Sequence, residues 1–389
     1  MKYTICCILF LLSTILSFAQ RVSFNKGGTD SKNYYEEIPY EFVNDLMFVT
    51  TEINGVKRKF LFDTGAPVQV TSELFEELKL EVINHTNVTD ATGKKTSLDI
   101  VALPALKLNN LSFTGIPALV SNSSLYKCLH IDGVIGSNLL RKSIVRIVPN
   151  KRVIILTDDE TKVPIDKKMQ ARLVIGEPQS YPFFLMKITD KDVVSIGFDT
   201  GSRNFLRVTE SFAKQFEKDN LFEKISSGYG SNHVGLFGLQ TPDSLYRLKI
   251  PSLNIAGCTF TNVVSETAKS NNNRMGVKIL DYGIVTIDFI HRFFYFEPNG
   301  NNTNLNEKLW PLKPMVADNK LIVGVVWGKL KDEIKSGDLI IAIDDVSCEA
   351  MNFCDWVDGK SDRMMDKETA ILTIKDEKGI VKKISIAKE

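Results

Sequence analysis

Hydrophobic and polar residues alternate in short stretches along most of the chain, and turn-forming residues separate these stretches. Met47–Ile53 and Lys59–Phe62 flank Asn54-Gly55, a dipeptide typical of a tight hairpin turn. A second hairpin is predicted over Val88–Leu98, with its turn near Thr92-Gly93. Short strands separated by turn signals in this way are typical of an all-β lobe.

The N-terminus carries a mostly apolar run, Ile5–Leu16, which is too short to span a bilayer as a helix. Lys2 precedes the run and Ser17-Phe18-Ala19 follows it, which is the pattern of a secretory signal peptide cut after Ala19. We therefore expect residues 1–19 to be removed and the mature chain to be exported, to the periplasm or the exterior, without a membrane span. An uncleaved N-terminal anchor is the alternative.

The chain contains an internal repeat. Leu103–Ile116 aligns without gaps with Ile250–Val263, and further matches flank it in the same order on both sides. Helical periodicity is brief in each copy, at Ser72–Leu78 and Thr209–Glu217. The sequence therefore predicts two related β lobes, over 20–160 and 161–298.

After the repeat, the polar stretch Asn299–Asn306 indicates a linker, assigned to 299–312. Residues 313–389 share no pattern with the repeats and predict a small α+β unit. Its predicted strands and helices are Leu321–Trp327, Leu330–Lys335 (helix), Leu339–Ile343, Ala350–Val357 (helix), Glu368–Ile374 and Ile380–Ala387.

Composition and charge exclude several classes of protein. Hydrophobic residues make up 43% and charged residues 24%, which indicates a globular chain rather than a disordered or collagen-like one. The 48 basic and 47 acidic residues give a net charge of +1, so electrostatics gives no reason to expect a nucleic-acid partner.

Six cysteines are present, of which Cys6 and Cys7 lie in the predicted signal peptide. The other four could pair in any of three ways in an exported chain. We expect them to be buried thiols, with a Cys348–Cys354 disulfide as the alternative. They lack CxxC spacing and the histidines form no HExxH motif, so no metal is expected. The four are Cys128, Cys258, Cys348 and Cys354.

The tripeptide Asp-Thr-Gly occurs at equivalent positions of the two copies, beginning at Asp63 and at Asp199. Each motif follows an apolar strand, and Gly65 and Gly201 permit the tight turn that would present the carboxylate. In a two-fold duplication such loops can meet at the pseudo-two-fold axis. The two aspartates are therefore the candidate catalytic residues.

With both motifs, residues 40–298 resemble the pepsin and retroviral-type aspartic proteases in their duplicated, single-chain form. Each copy also has a segment that ends in glycine before a strand, Val134-Ile135-Gly136 and Arg274-Met275-Gly276, although Arg274 departs from the apolar pattern. The segments Lys320–Val326 and Lys335–Asp344 are similar to a bacterial-type PDZ domain. The resemblance implies a mainly β fold of two homologous lobes, followed by a small α+β PDZ-like domain.

The same resemblance implies the chemistry. Two adjacent carboxyls share one proton, as in the aspartic proteases, so that one carboxylate activates a water and the other carboxyl protonates the scissile carbonyl. Neither a cofactor nor a metal is needed. In the family the motif threonines brace the two loops, a role that falls here on Thr64 and Thr200.

Four further positions are candidates for supporting or substrate-binding roles. Ser202 can donate to the outer oxygen of Asp199, whereas the equivalent Ala66 cannot, so we expect Asp199 to carry more of the negative charge. Thr92 and Gly93 lie at the tip of the expected flap. Tyr229 either covers the cleft from the second lobe or is an ordinary surface residue.

The sequence thus predicts an exported aspartic endopeptidase, a monomer that binds a peptide or protein substrate. The alternative is a non-catalytic exported peptide-binding protein on the same scaffold. In the C-terminal unit, the strand Leu321–Val326 and the helix Ala350–Val357 are expected to flank a groove that recruits peptides. The alternative is that this unit docks on the two lobes and has a structural role. The composition of Asn299–Asn306 favours a mobile linker and hence recruitment.

Overall fold

The computed structural model describes residues 23–188, 192–270, 272–359, 363–364 and 366–389. Its fold is mainly β, as the sequence predicts. The predicted signal peptide lies outside the described residues. Within the part of the chain that is described, no helix is both long and apolar enough to cross a membrane.

Three units follow one another along the chain. Strands of the first lobe are β1 Tyr35–Val43, β2 Leu46–Ile53, β3 Val56–Asp63, β4 Gln69–Thr71, β5 Val82–Thr89, β6 Lys95–Ala102, β7 Leu106–Leu108, β8 Leu111–Phe113, β9 Pro117–Ser121, β10 Gly133–Gly136, β11 Ile144–Val148 and β12 Val153–Thr157. Strands of the second lobe are β13 Gln170–Gly176, β14 Tyr181–Lys187, β15 Val193–Phe198, β16 Leu206–Thr209, β17 Glu223–Gly230, β18 Val234–Gly235, β19 Gly238–Leu239, β20 Asp243–Ile255, β21 Cys258–Ala268, β22 Asn273–Met275, β23 Gly283–Asp288 and β24 Phe293–Pro298. The C-terminal unit has β25 Leu312–Ala317, β26 Lys320–Trp327, β27 Leu339–Ile343, β28 Val346–Ser347, β29 Thr369–Lys375 and β30 Val381–Ala387.

Helices are short throughout. They are α1 Ser72–Glu77, α2 Ser124–Cys128, α3 Ser137–Leu140, α4 Glu210–Phe216 and α5 Phe353–Val357, with 3₁₀ turns at Pro149–Lys151, Glu160–Lys162, Glu217–Asp219, Val277–Asp281 and Gly328–Asp332. Thr71 and Thr209 cap α1 and α4, because each hydroxyl accepts a hydrogen bond from the N–H three residues later. Val70-Thr71 and Val208-Thr209 occupy equivalent positions of the two copies, and each pair directly precedes a helix.

The same strand pairing surrounds both Asp-Thr-Gly loops. In the first lobe, β3 is parallel to β10, β10 is antiparallel to β4, and β4 is parallel to β9. In the second lobe, β15 is parallel to β22, β22 is antiparallel to β16, and β16 is parallel to β21. Each aspartate therefore lies at the end of a central, apolar strand.

A sheet shared between the lobes fixes their relative position. Strands β12 and β11 of the first lobe continue into β23 and β24 of the second, with Ile144 paired to Asp288. The buried Arg146 side chain crosses this junction and forms an ion pair with Glu297 while donating to Thr286. This arrangement, together with an apolar core that runs through both lobes, holds the two loops against each other.

The C-terminal unit is attached to both lobes. Strand β26 pairs with β17 of the second lobe, and Trp327 packs so closely on Gly228 that a Cβ there would lie 2.4 Å from the indole ring. On the other side, α5 places Phe353, Trp356 and Val357 in an apolar cluster with β2, β3 and α2 of the first lobe. The unit therefore joins the two lobes on one side of the molecule.

The predicted linker stretch contacts the second lobe. Leu305 is buried in the main core, its N–H donates to the carbonyl of Thr261, and the N–H of Thr261 donates to the carbonyl of Thr303. Most of Asn299–Asn306 is exposed, as its polar composition indicates, and this one leucine anchors the stretch to β21.

The cysteine expectations are wrong for one pair. Cys128 at the end of α2 and Cys354 in α5 form a disulfide across 226 residues of sequence, with a Cα–Cα distance of 4.8 Å. Cys258 and Cys348 are the buried thiols that were expected, and the alternative Cys348–Cys354 pair is not formed. Spacing along the chain could not reveal a partner that only docking of the C-terminal unit brings close.

Opening the Cys128–Cys354 disulfide is expected to lower the free energy of unfolding by about 2–4 kcal/mol, because it closes a long loop. Urea denaturation of the mature protein with and without reductant measures this difference. A Cys354→Ser variant should start near the reduced value and show no response to reductant. Equal midpoints for oxidised and reduced wild-type protein would contradict the assignment.

Candidate active site

The two lobes bring Asp63 and Asp199 together. Their inner oxygens are held in the same way, since Oδ1 of Asp63 accepts from the N–H of Gly65 at 2.8 Å and Oδ1 of Asp199 accepts from the N–H of Gly201 at 3.0 Å. Each carboxyl group also interacts with the other. The pair that the sequence predicted is thus formed at the junction of the lobes.

Close approach explains the two glycines. A Cβ on Gly65 would lie 2.4 Å from Cγ of Asp199, and a Cβ on Gly201 would lie 2.4 Å from Oδ2 of Asp63. Such distances are far below van der Waals contact, so any side chain at either position would push the opposite carboxyl away.

Thr64 and Thr200 brace the two loops with four reciprocal hydrogen bonds. Each backbone N–H donates to the hydroxyl of the other threonine at 3.1 Å. Each hydroxyl then donates to a carbonyl of the opposite strand, Thr64 to Phe198 at 2.7 Å and Thr200 to Phe62 at 2.8 Å. Both threonines are fully buried, so these bonds fix the distance between the aspartates in a water-poor environment.

Electrostatics separates the roles of the two carboxyls. Burial, followed by the negative charge of Asp199, raises the pKa of Asp63 well above its ordinary value. Asp199 has a cationic neighbour instead, because Nη1 of Arg274 lies 3.4 Å from its Oδ2. One carboxyl of the pair therefore favours its proton, while the other has a partner for its charge.

Comparison with known proteins agrees with this geometry. A profile of the family described as aspartyl protease matches residues 49–139, which include Asp63. The chain contains an aspartyl protease-type domain. No curated protein matches the chain.

The outer carboxylate oxygen of Asp199 contacts Arg274, whereas the sequence predicted that this oxygen accepts a hydrogen bond from Ser202. The hydrogen bond that Ser202 makes here comes from its backbone N–H to the carbonyl of Asp199 at 3.0 Å, and the outer carboxylate oxygen faces Arg274. Strand β22 sets this contact by aligning Arg274 beside Gly197 of β15. The departure from the apolar pattern at residue 274 was the sequence signal for it.

Replacing Arg274 by Met is expected to move the acid limb of the pH–rate profile to higher pH. Its positive charge lowers the pKa of Asp63 and stabilises the singly ionised pair, so without it the pair first ionises at a higher pH. Ser202→Ala should leave the limb in place, contrary to the expectation from sequence. Measuring kcat/KM against pH for both variants checks the assignment, and a shift in Ser202→Ala alone would reverse it.

The tip of the expected flap, between β5 and β6, meets a hairpin of the second lobe formed by β18 and β19. Asp90 organises the tip, because its Oδ1 accepts from both the N–H and the hydroxyl of Thr92, while its Oδ2 accepts from the N–H of Phe237 at 2.9 Å. The ammonium of Lys94 donates to the carbonyl of Phe237 at 3.4 Å. Asp90 also acts electrostatically on Arg274, which places this contact on the side of the protease-type domain that carries the dyad.

The predicted substrate-binding residues lie in two different parts of the structure. Thr92 and Gly93 lie at the flap tip as expected. Tyr229 lies in β17 opposite Val326 of the C-terminal unit, with its side chain half exposed at 51%. Its strand pairs with β20 and with β26. The part of the second lobe that hydrogen-bonds to the flap tip is the β18–β19 hairpin.

Sequence reasoning missed Gln179, which has no motif around it. Its side-chain amide donates to the carbonyl of Gly65 at 2.9 Å and so links a loop of the second lobe to the first Asp-Thr-Gly turn. Ser137, which follows the segment Val134-Ile135-Gly136, donates in turn to the carbonyl of Gln179 at 2.8 Å. These contacts depend on tertiary placement alone.

Among the described residues, one group of potential metal ligands comprises Glu160, Asp288 and His291, apart from the dyad. The carboxylate of Asp288 already accepts hydrogen bonds from the N–H groups of Ile290 and His291 and contacts the His291 ring. An internal hydrogen-bond network therefore accounts for this group.

Proposed function

We propose that the protein is an aspartic endopeptidase in which Asp63 and Asp199 together activate a water molecule. The observation that carries the proposal is the dyad itself, two carboxyls braced in contact, one with a raised pKa and one beside a guanidinium. This asymmetry is what water-mediated peptide hydrolysis requires.

In the reaction, Asp199 holds the negative charge and takes a proton from the water. The water oxygen attacks the scissile carbonyl carbon, and Asp63 donates its proton to the carbonyl oxygen. The resulting gem-diol intermediate breaks its C–N bond as Asp199 passes its proton to the amine leaving group and one hydroxyl of the intermediate returns a proton to Asp63, which restores the starting dyad. No covalent enzyme intermediate forms, and each step is a proton transfer by a positioned carboxyl.

The second lobe is proposed to be a duplicate of the first. The matching strand pairing around Asp63 and Asp199 supports this origin, as do the equivalent threonine caps of α1 and α4. The arrangement gives a single chain a dyad with one carboxyl from each copy.

Two observations favour the alternative, a non-catalytic peptide-binding protein. Arg274 contacts a carboxylate of the dyad, and the flap tip is already hydrogen-bonded to the second lobe. Incubation with a denatured protein mixture separates the two functions. Cleavage that is blocked by a peptidomimetic hydroxyl transition-state analogue and absent in Asp63→Asn supports the peptidase, whereas peptide binding without cleavage by wild-type protein supports the alternative.

Export to the periplasm or the exterior is part of the proposal. The N-terminal pattern of a signal peptide supports it, and so does the Cys128–Cys354 disulfide, since such bonds persist in oxidising compartments.

The C-terminal unit, which we take to be PDZ-like, is proposed to support the lobes rather than to recruit substrate. Strand β26 uses part of its edge to pair with β17, and α5 is tied to the first lobe by the disulfide and by its apolar face. A peptide that added to this edge at Val325–Trp327 would have to displace β17.

A further inference from the structure

Two arginines lie side by side next to the dyad. Arg207 in β16 is directly opposite Arg274 in β22. Their sequence neighbours Leu206, Val208 and Met275 belong to the apolar core, so the alternation of strand residues places both arginines on the other face of the sheet. Arg274 reaches Asp199 from that face.

The guanidinium of Arg207 has no anion to itself. The residue is only 5% exposed, and its Nε is buried without a hydrogen-bond partner. The negative charges that act on it are those of Glu266 and Asp199, which ion-pair with Arg247 and Arg274 respectively. Glu266 lies opposite in β21, but its two oxygens accept from Nε of Arg247 and from the amide of Asn232. A buried cation left in this state is costly, which indicates that a ligand completes its environment.

The first lobe shows that the fold does not require these charges. At the corresponding register, Gln69 of β4 lies opposite Val134 of β10, and the amide oxygen of Gln69 accepts from the hydroxyl of Tyr126 at 3.1 Å. The same backbone thus accommodates a neutral pair with satisfied hydrogen bonds. The two arginines therefore lie on the second-lobe side of the cleft, and the equivalent positions of the first lobe are uncharged.

Charge balance gives the sign of the missing ligand. A dyad that shares one proton carries one negative charge, and it faces two guanidinium groups. Lys313 adds a partly buried cation nearby, which donates a hydrogen bond to the carbonyl of Asn232 at 3.2 Å, and Glu266 adds an anion. The cations Arg207, Arg274, Arg247 and Lys313 outnumber the anions, so the missing ligand is an anion.

We propose that Arg207 and Arg274 form a carboxylate-binding subsite that selects substrates with an acidic group within two residues of the scissile bond. This inference rests on the proposed peptidase function. The distance follows from Arg274, which touches the dyad, and from a rise of about 3.3 Å per residue in an extended peptide. Guanidinium groups bind carboxylates through paired, charge-assisted hydrogen bonds.

A series of fluorogenic peptides tests the subsite. Each member carries Glu or the isosteric Gln at one position from three residues before to three residues after the cleaved bond, and a further pair ends in a free or an amidated C-terminus near that bond. Wild-type protein should cleave one Glu peptide with kcat/KM at least ~30-fold above its Gln counterpart, as expected for a buried charge-assisted pair. A preference for the free C-terminus over the amide would assign the subsite to a terminal carboxylate instead of a side chain.

Variants then assign the preference to the arginines. Arg207→Gln, which copies Gln69 of the first lobe, should lower kcat/KM for the Glu peptide at least ~10-fold while changing the Gln peptide less than ~3-fold. Arg207→Lys should retain part of the preference. Arg172→Met, which removes an arginine of β13 that stacks on Phe293, is the matched control and should leave the ratio unchanged.

Two different failures are distinguishable. The subsite proposal is overturned, and the peptidase function stands, if the protein cleaves the series with kcat/KM ratios near one for Glu against Gln and for free against amidated C-termini. A Glu-to-Gln ratio that Arg207→Gln leaves unchanged overturns it in the same way. If wild-type protein cleaves no member, the peptidase function fails. Binding of the same peptides then decides the subsite, because equal affinities for Glu and Gln peptides would overturn it as well.

Discussion

Asp63→Asn and Asp199→Asn are each expected to lower kcat/KM for a cleaved peptide by at least ~10³-fold, because one carboxyl must accept the proton of water and the other must donate one. An amide does neither. The variants keep the hydrogen bonds that Gly65 and Gly201 donate to Oδ1, so the loops should retain their shape. Near wild-type turnover in either variant would exclude a shared dyad.

The two variants should differ in stability. Since the pKa of Asp63 is raised above its ordinary value of 3.8, the folded state holds a proton that the unfolded state releases. The free energy of unfolding therefore falls as the pH rises from that value through the raised one, and an amide at this position, which does not titrate, removes this fall. Asp63→Asn is thus expected to be more stable than wild type at neutral pH.

Asp199→Asn is expected to be less stable than wild type, because it leaves the partly buried Arg274 without the carboxylate that it contacts. Thermal unfolding at neutral pH measures both differences. Asp219→Asn, at an exposed aspartate after α4, is the control and should change neither activity nor stability. Equal midpoints for the two dyad variants would contradict the division of roles between the carboxyls.

Truncation after Pro298 is expected to remove stable folding and to abolish activity on short and long substrates alike. It takes away β26 from the edge of β17, the disulfide partner of Cys128, and the apolar residues of α5 that cover Leu46, Phe48 and Leu61. Exposed apolar surface of this kind destabilises what remains. If the C-terminal unit instead recruits substrate, truncation should raise the KM for long protein substrates and leave hydrolysis of a short fluorogenic peptide unchanged.

Because the truncated chain is expected to misfold, a smaller change provides the second measurement. Trp356→Ala keeps the whole C-terminal unit and the disulfide but removes one side chain that packs on the first lobe. Structural support predicts a lower unfolding midpoint and a similar loss of kcat/KM on short and long substrates. A loss confined to long substrates would favour recruitment.

The sequence by itself determined the local structure and the identity of the reacting groups. Turn signals such as Asn54-Gly55 and the alternation in Met47–Ile53 predicted β2 and β3 to within a few residues, because hairpins are decided by neighbouring residues. Helical periodicity over Ser72–Leu78 and Thr209–Glu217 predicted α1 and α4 for the same reason. The two Asp-Thr-Gly tripeptides identified both carboxyls, because the aspartate and the glycine that its turn requires lie within three consecutive residues.

Only the tertiary structure decided what surrounds the dyad. Cys128 and Cys354 lie 226 residues apart and meet because α5 docks on α2, and β26 reaches β17 by the same docking. The contact of Arg274 with Asp199, in place of the expected Ser202, depends on strand register between distant segments. Contacts of this kind are set by packing between units, and packing has no signature in the local alternation of residues.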